Sequence, residues 1–261
     1  MPETNAVIPL HQSTEPQFEQ LEEPRRFKVF TARQLDKIEP LKRLDDETRF
    51  AMEVVANVLP FRVNEYVIDE LIDWDKVPND PIYQLTFPQK GMLAPEHFDK
   101  VAEAMRGGDK AEIKAAIAEV REALNPHPAG QMEHNMPEVN GEKIDGVQHK
   151  YNETVLFFPS QGQVCHSYCT FCFRWAQFIG DNDLKIATKE AGQLKKYIQA
   201  HPEITDVLIT GGDPLVMKTK NLRAHIEPLL ELEQVRTIRI GSKALTFWPH
   251  RFVSDADADD L

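Results

Sequence analysis

Cysteine is almost absent from this sequence of 261 residues. The three cysteines, Cys165, Cys169 and Cys172, lie within eight consecutive positions, and the rest of the chain contains none. Cysteines at so tight a spacing are typical of metal ligands or redox groups rather than of disulfides. The scarcity therefore directs attention to one short stretch, VCHSYCTFC.

Long apolar runs and an excess of positive charge are lacking as well. No run approaches the ~20 apolar residues of a membrane span, and MPETNAVIPLHQSTEPQFEQLEEP lacks the basic start and apolar core of a signal peptide. Lys and Arg number 30 against 42 Asp and Glu, which gives a net charge of -12. That balance argues against a nucleic-acid or membrane-surface partner. We expect a cytoplasmic protein whose partners are small molecules or proteins.

Composition divides the chain into three parts. Residues 1–25 are polar and without period, which predicts a flexible tail. Residues 26–146 carry mainly helical signals and end, over 125–146, in a connector rich in Pro, Gly and Asn. Residues 147–261 follow a different pattern. With 41% hydrophobic residues, the chain can build a substantial core.

Two amphipathic helices are predicted in the second part, over 45–59 and 109–124, because apolar residues recur there at helical spacing. Asp109 followed by Glu112 is typical of a helix cap. The apolar positions are Phe50, Val54, Val55 and Val58 in the first helix and Ile113, Ala116, Ile117, Val120 and Leu124 in the second.

Short apolar strands alternate with helices in the third part. Strands are predicted at 154–158, 206–210 and 235–240, and helices at 188–201 and 221–233. This order is typical of parallel βαβ units with right-handed crossovers, which place the loops that follow the strands at one edge of the sheet. Those loops contain the cysteines, TGGDP and GSKALTFWPHRF, so the sequence predicts an α/β fold with an active-site rim.

The spacing C-x3-C-x2-C supplies three thiolates on one loop. A structural zinc site needs a fourth protein ligand, for which His166, His149 and His201 are the nearby candidates. An iron–sulfur cube held by three thiolates instead leaves one iron open to an external ligand. A zinc site, or three reduced thiols without a metal, remains the alternative to a cluster.

This loop, with Phe171 before its last cysteine, resembles the cluster loop of radical S-adenosylmethionine enzymes. The resemblance implies a [4Fe-4S] cluster on the three cysteines, with S-adenosyl-L-methionine on the fourth iron and Phe171 near the cluster and adenine. Gly211, Gly212 and Asp213 match that family's Gly-Gly-acidic motif, which contacts the methionyl ammonium. Arg239 and Ser242 are further candidates for this cofactor, although Ile-Gly-Ser is also an ordinary strand exit.

The stretches HKYNETVLFF, CTFCFRW, DVLITGGDPLV and VRTIRIGSKALTFWPHRF are similar to lysine 2,3-aminomutases, and the similarity extends over residues 50–261. It implies the first half of a (β/α) barrel of the radical S-adenosylmethionine type after a mainly α-helical region. It also implies a 5′-deoxyadenosyl radical that drives migration of an amino group on an amino acid substrate, and a reductant such as flavodoxin or ferredoxin. Arg174 matches the arginine that pairs with the substrate carboxylate. A homo-oligomer is left open.

Some positions depart from that pattern. Lys150 and Thr154 stand where the aminomutases carry arginines that hold pyridoxal phosphate, so binding of this cofactor is left open. A radical enzyme without pyridoxal phosphate and a zinc-binding interaction module are the alternative functions. Only three of the family's six or so barrel strands are predicted, and VSDADADDL, from Ser254, is typical of the first turn of a helix. We therefore expect a chain that stops before the barrel is complete.

Overall fold

The computed structural model describes residues 25–127, 130–181, 183–189 and 191–261, so the tail predicted at 1–25 lies outside it except for Arg25. No helix among these residues is long and apolar enough to cross a bilayer. The elements of the N-terminal region are β1 (Val29–Thr31), α1 (Asp46–Val58), β2 (Arg62–Asn64), α2 (Pro81–Thr86), α3 (Pro95–Gly107) and α4 (Lys110–Ala123). Strands β1 and β2 pair antiparallel.

Helices α1, α3 and α4 pack around one apolar core, as the two amphipathic patterns predict. Val54, Val55 and Val58 of α1 are fully buried, because their spacing places them on one helix face. Asp109 caps α4 by accepting hydrogen bonds from two backbone N–H groups of its first turn. Ile113 is the exception among the predicted apolar positions, because it lines a surface groove rather than the core.

The connector over 125–146 contains more structure than its composition predicts. Strands β3 (Glu138–Val139) and β4 (Glu142–Lys143) form a short hairpin. Asn140 and Gly141 between them have φ angles of 56° and 82°, the left-handed values that a tight hairpin turn requires. The Asn-Gly pair was therefore the local signal for this hairpin.

The third part forms a mixed four-stranded sheet. Strands β5 (Val147–Tyr151), β6 (Thr154–Phe157), β7 (Asp206–Ile209) and β8 (Thr237–Ile240) lie in this order, with helices α5 (Gly192–Ala200) and α6 (Thr219–Leu230) between the last three. Strands β6, β7 and β8 are parallel, as predicted. Strand β5 is antiparallel to β6 and was not predicted, because its polar residues hide the pattern.

The sheet buries alternate residues against its two helices. Val155, Phe157, Val207 and Ile209 are fully buried in one cluster, since successive side chains of a strand point to opposite faces. The cluster is completed by helix residues that include Leu194, Ile198 and Leu229. Packing of this kind fixes the sheet and, with it, the edge at which the three parallel strands end.

The prediction that a helix starts at Ser254 is wrong. Helices α7 (Ala244–Phe247) and α8 (His250–Val253) precede Ser254, and turns follow it. The acidic side chains are used elsewhere: a carboxylate oxygen of Asp257 accepts the backbone N–H of Thr219 at 2.6 Å, at the start of α6. The other oxygen of Asp257 lies 2.9 Å from the guanidinium of Arg251, which is only 3% exposed.

Candidate functional site

Three loops meet where β6, β7 and β8 end. We call residues 164–172 the cysteine loop, residues 210–214 the glycine loop and residues 241–243 the lysine loop. Together they line a cavity of about 340 Å³. The structure thus brings together nine residues predicted from the sequence: Cys165, Cys169, Cys172, Phe171, Arg174, Gly211, Gly212, Asp213 and Ser242.

Strand β2 of the N-terminal region braces the back of the cysteine loop. The backbone N–H of Tyr168 donates to the carbonyl of Arg62, and Nε of Arg62 donates to the carbonyl of Cys165, both at 2.8 Å. The N–H of Asn64 donates to Oγ of Ser167. These contacts join residues about a hundred positions apart in the chain, so the sequence alone gave no sign of them.

The two glycines of the glycine loop allow a close approach to the segment that enters the cysteine loop. The N–H of Gly212 donates to the carbonyl of Gly162, and the N–H of Asp213 donates to the carbonyl of Val164 at 2.8 Å. A β-carbon on Gly212 would lie 2.5 Å from backbone atoms of Val164. Gly211 has a φ of 134°, which favours glycine.

Asp213 ties the three loops together. This residue is only 3% exposed. One oxygen accepts the N–H of Leu215 and the hydroxyl of Ser242, and the other accepts the N–H of Lys243 and lies 3.4 Å from Nδ1 of His166. Burial raises the pKa of this carboxyl, but the contacts with His166, Lys243 and Ser242 outweigh it, and the net shift is downward. Asp213 therefore sits ionised within the protein's own hydrogen bonds.

Arg174 places a half-buried cationic side chain at the wall of the cavity. Its guanidinium stacks over the ring of Phe158 at 4.4 Å and lies 5.5 Å from that of Phe173. The Nη1 atom is buried and has no hydrogen-bond partner. Burial lowers the pKa of Arg174, although an arginine remains protonated at physiological pH. An anionic ligand oxygen would satisfy a buried donor of this kind.

Comparison with known proteins gives a consistent relationship, although no protein-family model matches the chain. The sequence is 34% identical over 215 residues to a putative L-lysine 2,3-aminomutase of Aquifex aeolicus, an alignment that covers 82% of this chain. The chain belongs to the lysine 2,3-aminomutase-like family. L-lysine 2,3-aminomutases of Clostridium subterminale and Methanococcus maripaludis are 24% and 23% identical over 88% and 81% of the chain.

The chain spans about half the length of these aminomutases. The aligned part is 47% of the Aquifex protein, 46% of the Clostridium protein and 40% of the Methanococcus protein. Alignments of this length reach into both the helical region and the sheet region, and the aligned part is a fraction of each relative.

Membership in the aminomutase family implies S-adenosylmethionine, a four-iron cluster and pyridoxal phosphate as cofactors. Within the described residues, no three His, Cys, Asp or Glu side chains converge on a point where one metal ion could be held. A cubane cluster differs, because each thiolate binds a different iron. Burial raises the pKa of Cys165 and of Cys172, so metal binding by these thiols would release protons. Three cysteines lining one cavity fit the cluster.

Five residues considered for cofactor or metal binding lie away from the cavity lining: Arg239, Lys150, Thr154, His149 and His201. Arg239 of β8 instead makes a bidentate contact with Asp206 at the start of β7, with Nη2 2.6 Å from a carboxylate oxygen. Lys150 and Thr154, which replace the arginines of the aminomutases, lie in β5 and at the first residue of β6. Thr154 is thus at the opposite end of β6 from the cysteine loop. Lys243, which the sequence did not single out, lines the cavity.

Proposed function

We propose that this chain provides the cluster-binding part of a radical S-adenosylmethionine aminomutase, with the first half of a (β/α) barrel. The observation that carries the proposal is the cavity at the ends of β6, β7 and β8, which is lined by all three cysteines and by both glycines of the glycine loop. Parallel α/β folds keep their chemistry at this edge. The alignment with the Aquifex aminomutase extends over 82% of the chain.

The proposed roles follow from where the side chains lie. Cys165, Cys169 and Cys172 hold three irons, and Phe171, 70% exposed, offers its ring at the mouth of the cavity. The glycine loop and Ser242 border the space for S-adenosylmethionine. Bound there, the cluster would supply one electron for cleavage of a carbon–sulfur bond of S-adenosylmethionine, with methionine as the leaving group, and so give access to radical chemistry on the substrate.

Asp213 is assigned a different role from its counterpart in the aminomutases. Because its carboxylate oxygens are engaged with Leu215, Ser242 and Lys243, we assign it to positioning the three loops. In this proposal, other polar groups that are exposed in the cavity contact the methionyl ammonium of S-adenosylmethionine. Arg174 is the proposed partner of the substrate carboxylate, because its Nη1 is a buried cationic donor without a partner at the cavity wall.

A radical enzyme that works without pyridoxal phosphate is the second candidate. The observation that favours it is the position of Lys150 and Thr154, which line no part of the cavity and are not arginines. Both candidates act on a small amino acid in a reducing cytoplasm and need a reductant such as flavodoxin or ferredoxin. Spectroscopic titration of a full-length version with pyridoxal phosphate separates them, because an imine absorption band is expected only with the first candidate.

Anaerobic reconstitution with iron and sulfide tests the proposal. We expect four irons per chain, a reduced cluster visible by electron paramagnetic resonance, and a change of that signal when S-adenosylmethionine is added. Replacement of Cys165, Cys169 or Cys172 by Ala should abolish the cluster. A purified chain that holds one fully ligated zinc and takes up no iron would instead support the zinc-binding module and overturn the proposal.

Arg174 is tested by its binding of the probe L-lysine. Charge-assisted hydrogen bonds contribute about 1.5–3 kcal/mol, so Arg174→Ala should weaken binding roughly ten- to a hundredfold while iron content stays unchanged. Arg106→Ala, which removes an exposed arginine from α3, serves as the control. Unchanged L-lysine affinity in Arg174→Ala, with a wild-type chain that binds L-lysine, contradicts the assigned role.

A further inference from the structure

Lys243 holds a positive charge against one of the three cysteines. Its Nζ donates a hydrogen bond to Sγ of Cys169 at 3.0 Å. The same ammonium lies 5.1 Å from the ring centroid of Phe171 and 5.8 Å from that of Phe247. Both separations are within the range at which an aromatic ring attracts a cation. Sulfur and the two rings therefore hold the ammonium on one side of the cysteine loop.

The backbone of Lys243 is fixed by the buried carboxylate that ties the loops together. Its N–H donates to Oδ2 of Asp213 at 2.8 Å, and the preceding residue, Ser242, donates its hydroxyl to Oδ1 at 2.7 Å. The Ser242 hydroxyl also accepts the N–H of Ala244. The start of the lysine side chain is therefore set by the core, although its end is exposed to solvent.

Other cations near the cysteines are used differently. The guanidinium of Arg174 lies over the rings of Phe158 and Phe173. Nε of Arg62 donates to the backbone carbonyl of Cys165 and not to its sulfur. Of these three cations, Lys243 is the one that contacts a cysteine sulfur. The guanidinium of Arg174 lies over two aromatic rings, and Arg62 binds a backbone carbonyl.

We propose that Lys243 is a positioning residue that raises the reduction potential of the cluster through its contact with Cys169. This inference rests on the proposed function, because it requires the cluster. Reduction adds one electron, and hence one negative charge, to the iron–sulfur group. A donor and a positive charge at a ligand sulfur stabilise that reduced form more than the oxidised one, and hydrogen bonds to sulfur are among the determinants of cluster potentials.

The test is a reductive titration of the reconstituted chain with titanium(III) citrate, followed by electron paramagnetic resonance. It is run without S-adenosylmethionine and at low ionic strength, because salt screens an exposed charge. For Lys243→Met we expect the reduction equilibrium constant to fall about tenfold, which for one electron is a midpoint shift of about 59 mV to more negative values. Lys243→Gln should shift the midpoint less, because a hydrogen-bond donor remains. Lys243→Arg should keep the midpoint close to that of the wild type, because the charge remains.

Lys220→Met is the matched control, since it removes the same charge from an exposed position of α6. An unchanged midpoint in both Lys243→Met and Lys243→Gln, or an equal shift in Lys220→Met, overturns the inference while the cluster itself stands. A wild-type chain that forms no four-iron cluster overturns the proposed function instead. If Lys243→Met takes up no iron, the midpoint of Lys243→Gln decides.

Discussion

Replacing Asp213 by asparagine tests whether this side chain positions the three loops or binds S-adenosylmethionine. In the structure one carboxylate oxygen accepts from Leu215 and Ser242, and the other accepts from Lys243 beside His166. Asparagine has nearly the same shape but carries an NH₂ group in place of one oxygen. Either orientation therefore turns a donor towards a backbone N–H, that of buried Leu215 or the partly buried one of Lys243. The variant should be destabilised even in the chain without cluster or S-adenosylmethionine.

The expected loss follows from the number of donors left without an acceptor. An unsatisfied buried polar group costs about 1–3 kcal/mol, and a hydrogen bond to a charged group contributes about 1.5–3 kcal/mol. One backbone N–H loses its acceptor in either orientation, and the remaining hydrogen bonds are made to a neutral oxygen and not to a charged one. We expect the free energy of unfolding to fall by about 2–4 kcal/mol, a large part of the stability of a typical domain.

The measurement is urea unfolding of the metal-free chain at neutral pH, followed by circular dichroism. Asp259→Asn, at an exposed position, is the control and should unfold like the wild type. The difference between wild type and Asp213→Asn should also depend on pH. Because the pKa of Asp213 is lowered in the folded protein, the ionised carboxylate stabilises the fold fully above the unfolded pKa of about 4. That contribution declines as the pH falls through the folded pKa.

Equal stability of Asp213→Asn and wild type in the metal-free chain would refute this reasoning. A variant that is fully stable but no longer responds to S-adenosylmethionine would show that the carboxylate acts on the cofactor directly. A variant that is destabilised and also takes up less iron is the result we expect, because the cysteine and lysine loops both depend on this one side chain.

Three further predictions concern single contacts, all measured by urea unfolding of the metal-free chain. Gly212→Ala places a β-carbon against the backbone that leads into the cysteine loop and should cost about 1–3 kcal/mol; Gly192→Ala, with open space around it, should not destabilise, and an equal effect of both refutes the steric reason. Asp257→Asn removes the charge paired with buried Arg251 and should cost about 1–3 kcal/mol, whereas a loss no larger than that of the exposed-aspartate control argues against it. Burial raises the pKa of Tyr83 to about 12, so the free energy of unfolding should fall between about pH 10 and pH 12. Tyr83→Phe should show a smaller fall over this range. The same pH dependence in variant and wild type contradicts this prediction.

Sequence patterns were sufficient for the parallel part of the sheet and for the helical core. Strands β6 and β7 are short, apolar and followed by glycine- or cysteine-containing loops, so their type and direction follow from composition and order. Boundaries were less accurate: α5 begins at Gly192 and not at 188. Strand β5 was missed because its sequence has no apolar alternation that would predict a strand. It forms through its hydrogen bonds with β6.

The candidate site was predictable as a set of residues but not as a network. Cysteine spacing identified the cysteine loop, and the resemblance identified the glycine loop. The contact of Lys243 with Cys169 and the brace from β2 join distant parts of the chain, so no local spacing encodes them. The sequence also did not indicate the partner of Arg239, because a place in a strand near the site does not fix where a long side chain points; in the structure its guanidinium contacts Asp206.

The brace between β2 and the cysteine loop limits how far the site can be separated from its surroundings. The side-chain amide of Asn64 also donates to the carbonyl of Phe247, at the end of α7. Strand β2 therefore contacts both the cysteine loop and the helix that follows the lysine loop. A cysteine loop transplanted into another scaffold with its sheet alone would lose this backing. Any miniature of the site therefore has to carry the Arg-Val-Asn strand along with the sulfur ligands.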